Sequence, residues 1–202
     1  MLKSLSILAL AAAFVAPAAF ADQITGAIAA SGSNQITSNT ITFLDSTVGG
    51  ESTGDFATYI DNGTAVNFAP GALPYSLGMN TAPGGSVQLF SVSDNGETFV
   101  FDIQNYTATQ IACPANSGPN CAILSVFGNG AFTGSGAVAF DPTPGVFSFT
   151  TQLVNGQTTT TTFSASANAS PVPEPSTLML LGTGVFGAAG MIRRRMSAVA
   201  TK

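Results

Sequence analysis

The sequence predicts a mainly β protein, with an antiparallel domain of the β-sandwich or jelly-roll type at residues 22–163 and an apolar segment near each end of the chain. Three observations lead to this prediction. Apolar residues alternate with polar ones at a period of two, Asn-Gly pairs recur between these stretches, and no apolar stripe with helical spacing runs through the region. The 202 residues fit one such domain with short terminal segments to spare.

The alternation is clearest in three stretches that are rich in phenylalanine and β-branched residues. They centre on Ile41 and Phe43, on Phe99, Phe101 and Ile103, and on Phe147 and Phe149. A period of two places these apolar side chains on one face of a strand, and Thr, Val and Phe suit a pleated, half-buried surface. We therefore expect them to form the core of the domain.

Four Asn-Gly pairs predict tight turns. A type I′ turn needs positive φ at both central residues, which makes Asn-Gly the best short hairpin signal. The pairs begin at Asn62, Asn95, Asn129 and Asn155. A further turn is expected at the Asp-Pro-Thr-Pro-Gly run of residues 141–145.

The charges are separated along the chain. The five basic residues are all terminal, whereas the ten acidic residues lie between Asp22 and Glu174, so residues 22–192 have a formal side-chain charge of −10. Such a surface cannot neutralise phosphates, which excludes nucleic-acid binding. The chain also contains no His, and residues 22–192 contain no Lys. Ser-His-Asp, Cys-His and Ser-Lys catalysis and Schiff-base chemistry are therefore excluded.

Residues 1–21 have the three-part layout of a secretory signal peptide. Lys3 supplies the positive start, residues 5–15 are an apolar stretch, and Ala19 and Ala21 are the small residues that a signal peptidase inspects. We expect cleavage after Ala21. A retained N-terminal membrane anchor is the alternative, but spanning a ~30 Å hydrocarbon core needs about 20 apolar residues, more than this stretch provides.

A second apolar segment lies near the C-terminus. Residues 164–175 are expected to be a linker, because they are rich in Ser, Ala and Pro and alternating prolines favour an extended backbone. Residues 176–192 are predominantly apolar and have the length of a short transmembrane helix. Arg193, Arg194 and Arg195 would stop transfer and hold residues 193–202 in the cytoplasm by the positive-inside rule.

The order of these C-terminal elements resembles the PEP-CTERM sorting domain. The resemblance depends on Pro173, Glu174 and Pro175, on the glycine-bearing apolar span after them, and on the arginine cluster. The family occurs on exported proteins of Gram-negative bacteria that make extracellular polysaccharide. Membership implies recognition by an exosortase, a membrane-embedded cysteine protease that removes the tail. The alternative is a plain C-terminal anchor behind a proline linker.

Cys113 and Cys121 are the only cysteines, and a short turn-rich loop separates them. In an exported chain such a pair is expected to form a disulfide. The alternatives are a catalytic thiol and a two-cysteine metal site. Both lack a His, which would activate the thiol or add to the metal ligands.

The acidic residues and tyrosines offer few other candidates for chemistry. The acids lie mostly in turn contexts such as that of Asp61, which Asp favours because it forms local hydrogen bonds. These turns could hold Ca²⁺, although the chain has no Asp-x-Asp-x-Asp loop. Tyr75 is expected on a loop where its ring could meet a sugar, whereas Tyr59 and Tyr106 are expected in the core. We expect no catalytic residue, no metal site and no cofactor.

The sequence thus predicts an exported protein that is anchored transiently in the inner membrane and then reaches the cell surface or the extracellular space. Its processing partners would be signal peptidase and an exosortase. For the domain itself, the leading hypothesis is a non-enzymatic structural or interaction role at the surface or in the extracellular matrix. The alternatives are a polysaccharide-binding module, with extracellular polysaccharide as its partner, and a glycoside hydrolase that uses acids alone.

Overall fold

The computed structural model describes residues 22–69, 73–113, 121–154, 160–171, 182–184 and 187. The chain divides into two compact units, Met1–Ser170 and Pro171–Lys202. The predicted signal peptide at residues 1–21 lies outside the described residues. So do Pro173, Glu174 and Pro175, the three arginines, and most of the predicted transmembrane segment.

The first unit is mainly β, as the sequence predicts. Among its described residues, one short helix, α1 (Gly54–Tyr59), and one 3-10 turn (Pro83–Gly85) interrupt the strands. The described strands are β1 (Asp22–Gln23), β2 (Ala27–Ile36), β3 (Thr40–Val48), β4 (Val66–Phe68), β5 (Leu73–Pro74), β6 (Gly78–Thr81), β7 (Val87–Asp94), β8 (Glu97–Ala112), β9 (Cys121–Gly136), β10 (Phe140–Asp141), β11 (Thr143–Val154) and β12 (Thr160–Ala169).

Ten of these strands form one antiparallel sheet. Its order is β4-β7-β8-β9-β11-β12-β2-β3-β5, and β6 pairs with β8 beside this path. The remaining two strands, β1 and β10, form a short parallel pair. Four pairs of consecutive strands form hairpins, namely β2–β3, β7–β8, β8–β9 and β11–β12, whereas β12 returns to pair with β2 and brings the two halves of the chain together.

The sheet curls until its two ends meet. Thr47 of β3 forms a bridge with Ala65, and the N–H of Val48 donates to the carbonyl of Thr64 at 2.8 Å. Register shifts in β2 and β8 mark bulges, which bend a strand and increase its twist. The predicted sandwich of two stacked sheets is therefore replaced by one curled sheet. The alternation of apolar and polar residues is the same in both arrangements, so the pattern could not separate them.

Phenylalanine rings fill the interior of the curled sheet. The largest fully buried side chains include Phe56, Phe99, Phe101, Phe132, Phe147 and Phe149. Phe43 of β3 stacks on Phe68 of β4 with ring centroids 4.0 Å apart, and it also meets Phe163 of β12 at 5.2 Å. These contacts join strands from both ends of the sheet. The predicted core stretches around Ile41, Phe99 and Phe147 are confirmed, since all three residues are buried.

Helix α1 closes one part of this interior. Its Phe56 is fully buried, and its ring centroid lies 4.9 Å from that of Phe99 and 5.1 Å from that of Phe132. The helix is only six residues long, so the packing of Phe56 rather than helix propensity stabilises it.

The predicted turns have different outcomes. Asn95 and Gly96 connect β7 to β8 with φ values of 48° and 79°, which confirms a two-residue hairpin turn with positive φ at both positions. Asn62 lies in a turn whose Gly63 has a φ of 89°. The turn predicted at Asn129 is wrong, because Asn129 lies within β9 and pairs with Val146. Asn155 lies outside the described residues.

The boundary of the domain also differs from the expected one. Residues 164–169, expected in the linker, form the second half of β12. In this stretch Ala165 and Ala167 are buried, whereas Ser164 and Asn168 are exposed. The Ser-Ala run is therefore a strand with a period of two, and the domain ends at Ser170.

In the second unit, residues 182–184 and 187 are helical. Within the described parts of the chain, no helix has both the length and the apolar character that crossing a membrane requires.

Candidate functional site

The two ends of the domain are fixed side by side. Near the N-terminal end, the backbone N–H of Ile24 donates to the buried hydroxyl of Thr143 at 2.9 Å. At the C-terminal end, the N–H of Ser170 donates to the carbonyl of Pro144 at 2.8 Å. Thr143 and Pro144 are consecutive residues at the start of β11, so this strand holds both ends of the domain.

Four adjacent strands carry no charged residue. They are β9, β11, β12 and β2, which neighbour one another in the sheet. Their inward side chains belong to the core, and their outward ones are mainly Ser, Thr, Asn, Gln and Ala. We call this outward surface, together with the adjoining uncharged outward residues of β6, β8 and β3 that pair in register with it, the neutral face.

One row of the neutral face consists only of hydroxyl residues. The strand register aligns it across six strands, from β8 to β3, as Thr109, Ser125, Thr150, Ser164, Ser31 and Thr47. Neighbouring strands are about 4.8 Å apart, so the hydroxyls repeat at about that interval. The row offers many weak hydrogen-bonding groups and no charge.

A shallow groove of about 650 Å³ lies on the same face. Hydroxyl and amide side chains dominate its lining, including Ser31, Ser33, Thr150, Gln152, Thr162 and Ser164. Such a lining can donate and accept hydrogen bonds to a neutral polar partner.

The acids in turns act as hydrogen-bond acceptors that connect loops. Asp94 accepts from the hydroxyl of Thr64 at 2.7 Å and from the backbone N–H of Asp61 at 3.0 Å. These bonds, above all the one from Thr64, hold the pKa of Asp94 below its usual value. Asp55 of α1 likewise accepts from the N–H and the hydroxyl of Thr25, at 2.6 and 2.8 Å. Across the described ranges, no three His, Cys, Asp or Glu side chains come together as a metal site.

Glu97 differs from these acids because it is buried, with 1 % of its surface exposed. Its Oε2 accepts from the N–H of Val138 at 3.1 Å. This bond fixes the loop after β9 to the start of β8. The turn context seen in the sequence did not predict the burial, which results from the loop folding over the hairpin.

The three tyrosines occupy different environments. Tyr106 is buried, as expected, and its hydroxyl donates to the carbonyl of Pro74. Tyr59 is half-buried, with its ring 6.3 Å from that of Phe99. Tyr75 is also half-buried, and its hydroxyl donates to the carbonyl of Thr37 at 3.1 Å. Burial raises the pKa of Tyr75. Its ring is therefore not the open platform that the sequence suggested.

The two cysteines lie at the end of the β8–β9 hairpin. The strands pair as far as Ala112 and Ala122, so Cys113 and Cys121 are opposite each other one position further on. Directly opposed residues of antiparallel strands have Cα atoms about 4.5–5.5 Å apart, a separation that suits a disulfide. The register is compatible with the predicted disulfide, which stays a prediction.

The comparison with known protein families matches residues 171–195 to the PEP-CTERM protein-sorting motif. The chain carries this sorting motif. It marks an exported protein that an exosortase sorts and that is anchored in the membrane transiently. No curated protein and no solved structure matches the chain.

The PEP-CTERM motif begins directly after the folded domain. The first unit ends at Ser170, and the match starts at residue 171. The matched range includes the PEP residues from Pro173 to Pro175 and the arginines from Arg193 to Arg195. The individual roles of these residues stay predictions, as does cleavage after Ala21, because they lie outside the described residues.

Sequence reasoning missed the neutral face. The signal was present, since residues 27–36, 121–136, 143–154 and 160–169 each lack a charge. That these four stretches are neighbours follows only from the strand pairing. The PEP-CTERM motif, in contrast, is a contiguous pattern that the sequence shows directly.

Proposed function

We propose that this PEP-CTERM protein is a non-enzymatic structural or interaction protein of the cell surface or extracellular matrix. The sorting motif at residues 171–195 is the observation that carries the proposal. The domain supports it, because its interior is occupied by core packing. A gap between β2, β12 and the phenylalanines Phe68 and Phe90 has a volume of about 10 Å³, no more than one water requires.

In this proposal the tail works by presenting a rigid peptide outside the bilayer. Pro173 and Pro175 fix their φ angles at about −65° and keep residues 173–175 from becoming part of the helix that follows. Glu174 is the charged side chain available to the protease. The apolar span at residues 176–192 sets the distance to the membrane, and the arginines after it stop transfer.

The non-enzymatic part of the proposal is tested by an activity screen. The exported, processed protein is incubated with neutral and acidic polysaccharides, and release of reducing sugar is measured. We expect no release above that of a heat-denatured sample. Turnover that disappears when an acid such as Glu97 is replaced by Gln in a correctly folded variant would favour the acid-only hydrolase instead.

Polysaccharide binding is the second candidate function, and the hydroxyl-lined groove favours it. A pull-down with a neutral polysaccharide should then weaken in Gln152→Ala, a substitution in the groove. Tyr75→Ala is an informative comparison, because Tyr75 lies outside the groove lining. If Tyr75→Ala loses binding and Gln152→Ala does not, the polysaccharide-binding site would instead be at the loop around Tyr75, as the sequence suggested.

A further inference from the structure

We propose that six acids at one end of the domain hold it off the bilayer, so that the membrane-embedded exosortase can reach the PEP residues. These acids are at least partly exposed and are Asp22, Glu51, Asp55, Asp61, Asp94 and Asp141. We call the end of the domain that carries them the acidic end. The inference rests on the exosortase sorting that the proposed function includes, and it names what keeps the sorting motif accessible.

The residues that lead to the sorting motif are fixed in the sheet. β12 pairs with β11 on one side and with β2 on the other. After its last pairs, the N–H of Ala169 donates to the carbonyl of Gly26 at 2.9 Å, and that of Ser170 donates to the carbonyl of Pro144 at 2.8 Å. The connection between the domain and the predicted apolar span therefore consists of residues 171–175.

This connection is short. The six residue-to-residue steps from Ser170 to Ser176 reach at most about 20 Å when the chain is fully extended. The headgroup layer of a bilayer accounts for about 5–8 Å of this length. A domain that is anchored through the span therefore stays within roughly 15 Å of the headgroups, about two Debye lengths at physiological ionic strength.

The acids converge on the end of the sheet from which this connection starts. Because neighbouring strands of the sheet are antiparallel, β2, β8 and β11 begin at this end, and β3, β7, β9 and β12 end there. Asp22 and Asp141 belong to β1 and β10, which pair directly before β11 begins. Asp94 is the last residue of β7, and its carboxylate accepts from the N–H of Asp61 at 3.0 Å.

The segment around α1 brings the other two acids to the same end. Glu51 and Asp55 lie on either side of Thr53, whose N–H donates at 2.9 Å to the carbonyl of Ala27, the first residue of β2. The carboxylate of Asp55 also accepts from the residue before this strand, Thr25. Acids from distant parts of the sequence therefore share one end of the domain.

The rest of the domain offers no compensating charge. Residues 22–170 contain no basic residue, and the α-ammonium that signal-peptide cleavage would place on Asp22 leaves the acidic end strongly negative. The other acids are Asp45 and Asp102, which lie along strands, and Glu97, which is buried. Three connections at the opposite end of the sheet are uncharged, namely residues 37–39, 113–120 and 155–159.

An anionic lipid surface repels the acidic end more strongly than any other part of the domain. The negative surface potential of such a bilayer attracts basic segments and repels acidic ones, and it falls off within a Debye length of about 8 Å. The short connection keeps the acidic end inside or just beyond this range. Repulsion therefore disfavours positions in which the domain lies against the headgroups and covers the PEP residues.

The test measures how fast the tail is removed from the full chain after signal-peptide cleavage. The chain is reconstituted with an exosortase into phosphatidylcholine vesicles with and without phosphatidylglycerol, an anionic lipid, and cleavage is followed by immunoblotting. In anionic vesicles, Glu51→Lys with Asp141→Lys should be cleaved roughly tenfold more slowly than the wild type, because the new side chains attract the domain to the headgroups. Glu51→Gln with Asp141→Asn removes repulsion without adding attraction and should slow cleavage roughly twofold.

Asp45→Lys with Asp102→Lys is the matched control. It makes the same change of charge, again at one exposed and one half-buried acid. At about 3.3 Å per residue, these positions lie roughly 10 and 17 Å from the acidic end along β3 and β8, more than a Debye length away. Cleavage of the control should match that of the wild type. Thermal unfolding shows whether each variant is folded, and the neutralising pair replaces the lysine pair if the latter unfolds.

Two further conditions should abolish the slowing in the lysine pair. The first is the absence of attraction, either in vesicles of phosphatidylcholine alone or at high salt. The second is a flexible Gly-Ser insertion of about ten residues after Ser170. The longer connection lets the protease reach the PEP residues even while the domain rests on the bilayer.

Equal cleavage of the wild type and of the acidic-end variants in anionic vesicles overturns this inference. So does an equal slowing of the acidic-end and control variants. Slowing that persists in phosphatidylcholine alone would assign the acidic end to a cationic surface of the exosortase instead. A wild type that is never cleaved in any vesicle would overturn the exosortase processing in the proposed function itself, so the two failures are distinguishable.

Discussion

Gly26 lies where the chain before β2 meets the segment before α1. Its φ is +97°, and a methyl group added to it would lie 2.0 Å from the carbonyl oxygen of Thr53. The approach is close because backbone hydrogen bonds join the two segments, including one of 2.9 Å from the N–H of Thr53 to the carbonyl of Ala27. Glycine is therefore needed at this position for its conformation and for space.

We predict that Gly26→Ala lowers the free energy of unfolding by about 3 kcal/mol or more, because a backbone clash adds to the cost of positive φ. Gly78→Ala is the matched control. Its φ is +103°, but no atom lies within 4 Å of the added carbon. The control should lose only about 1 kcal/mol. Urea denaturation measures the free energy of unfolding of both variants. Equal decreases would show that the close contact with Thr53 adds nothing to the cost at Gly26.

Asp94 makes the stability of the domain depend on pH. Besides the bonds from Thr64 and Asp61, it accepts the N–H of Asn95 at 2.9 Å, and its pKa is lowered in the folded state. In the unfolded chain the pKa of an Asp side chain is about 3.9. Because the folded pKa is below this value, the ionised form stabilises the fold above it, and the contribution disappears as the pH falls through the folded pKa.

Thermal unfolding of the wild type and of Asp94→Asn as a function of pH tests this contribution. The wild type should be the more stable protein at neutral pH, and the difference should shrink below about pH 4. Asp45→Asn is a suitable control, since Asp45 is an exposed acid on β3. A difference that stays constant with pH would contradict the role of the Asp94 charge.

At the scale of elements, the β8–β9 hairpin is the longest pair in the sheet, with 16 residues in each strand. Its register places Cys113 opposite Cys121, and the intervening residues 114–120 lie outside the described ones. We predict that the exported protein contains a Cys113–Cys121 disulfide. Without reductant, the peptide spanning both cysteines should be lighter by two hydrogen atoms than after reduction.

Replacing both cysteines by Ser should lower the free energy of unfolding by about 2–3 kcal/mol, as expected for a bond that closes a short loop. The reduced wild type should then match the double variant in a denaturation experiment. Free thiols at both positions after export would reject the disulfide.

At the scale of the whole molecule, the sorting tail can be separated from the domain that it follows. The match begins at residue 171, after the last backbone hydrogen bond of the domain, that of Ser170. We predict that Glu174→Ala and Pro175→Ala leave export and folding intact, while the uncleaved membrane-bound form accumulates. Cell fractionation and immunoblotting in a host with an exosortase measure this.

Ser170→Ala is the control for these variants. It lies just outside the matched range and keeps its backbone N–H, so processing should be normal. Neutralising Arg193, Arg194 and Arg195 should have a different effect, with loosened topology and some unsorted precursor. If Glu174→Ala and Pro175→Ala are both processed like the wild type, the PEP residues act only as a linker and are not a recognition element for the exosortase.

The sequence by itself determined the features that depend on neighbouring residues. The sorting motif is a contiguous pattern, the Asn95-Gly96 turn follows from the φ preferences of two residues, and the buried rings at Phe99 and Phe147 follow from alternation along one strand. Each signal is complete within a short stretch of chain, so no partner strand is needed to interpret it.

Only the tertiary structure decided which stretches meet. Pairing of Ser164 with Ser31 joins residues far apart in the sequence, and it turns a Ser-Ala run that resembles a linker into a strand of the sheet. Pairing of Asn129 with Val146 likewise keeps an Asn-Gly pair extended within β9, because the ladder bonds on both sides outweigh the local turn preference. The curled sheet, its closure at Thr47 and the neutral face all arise from such long-range pairings. The stability of each pairing depends on both strands, so it cannot be derived from the sequence of either one alone.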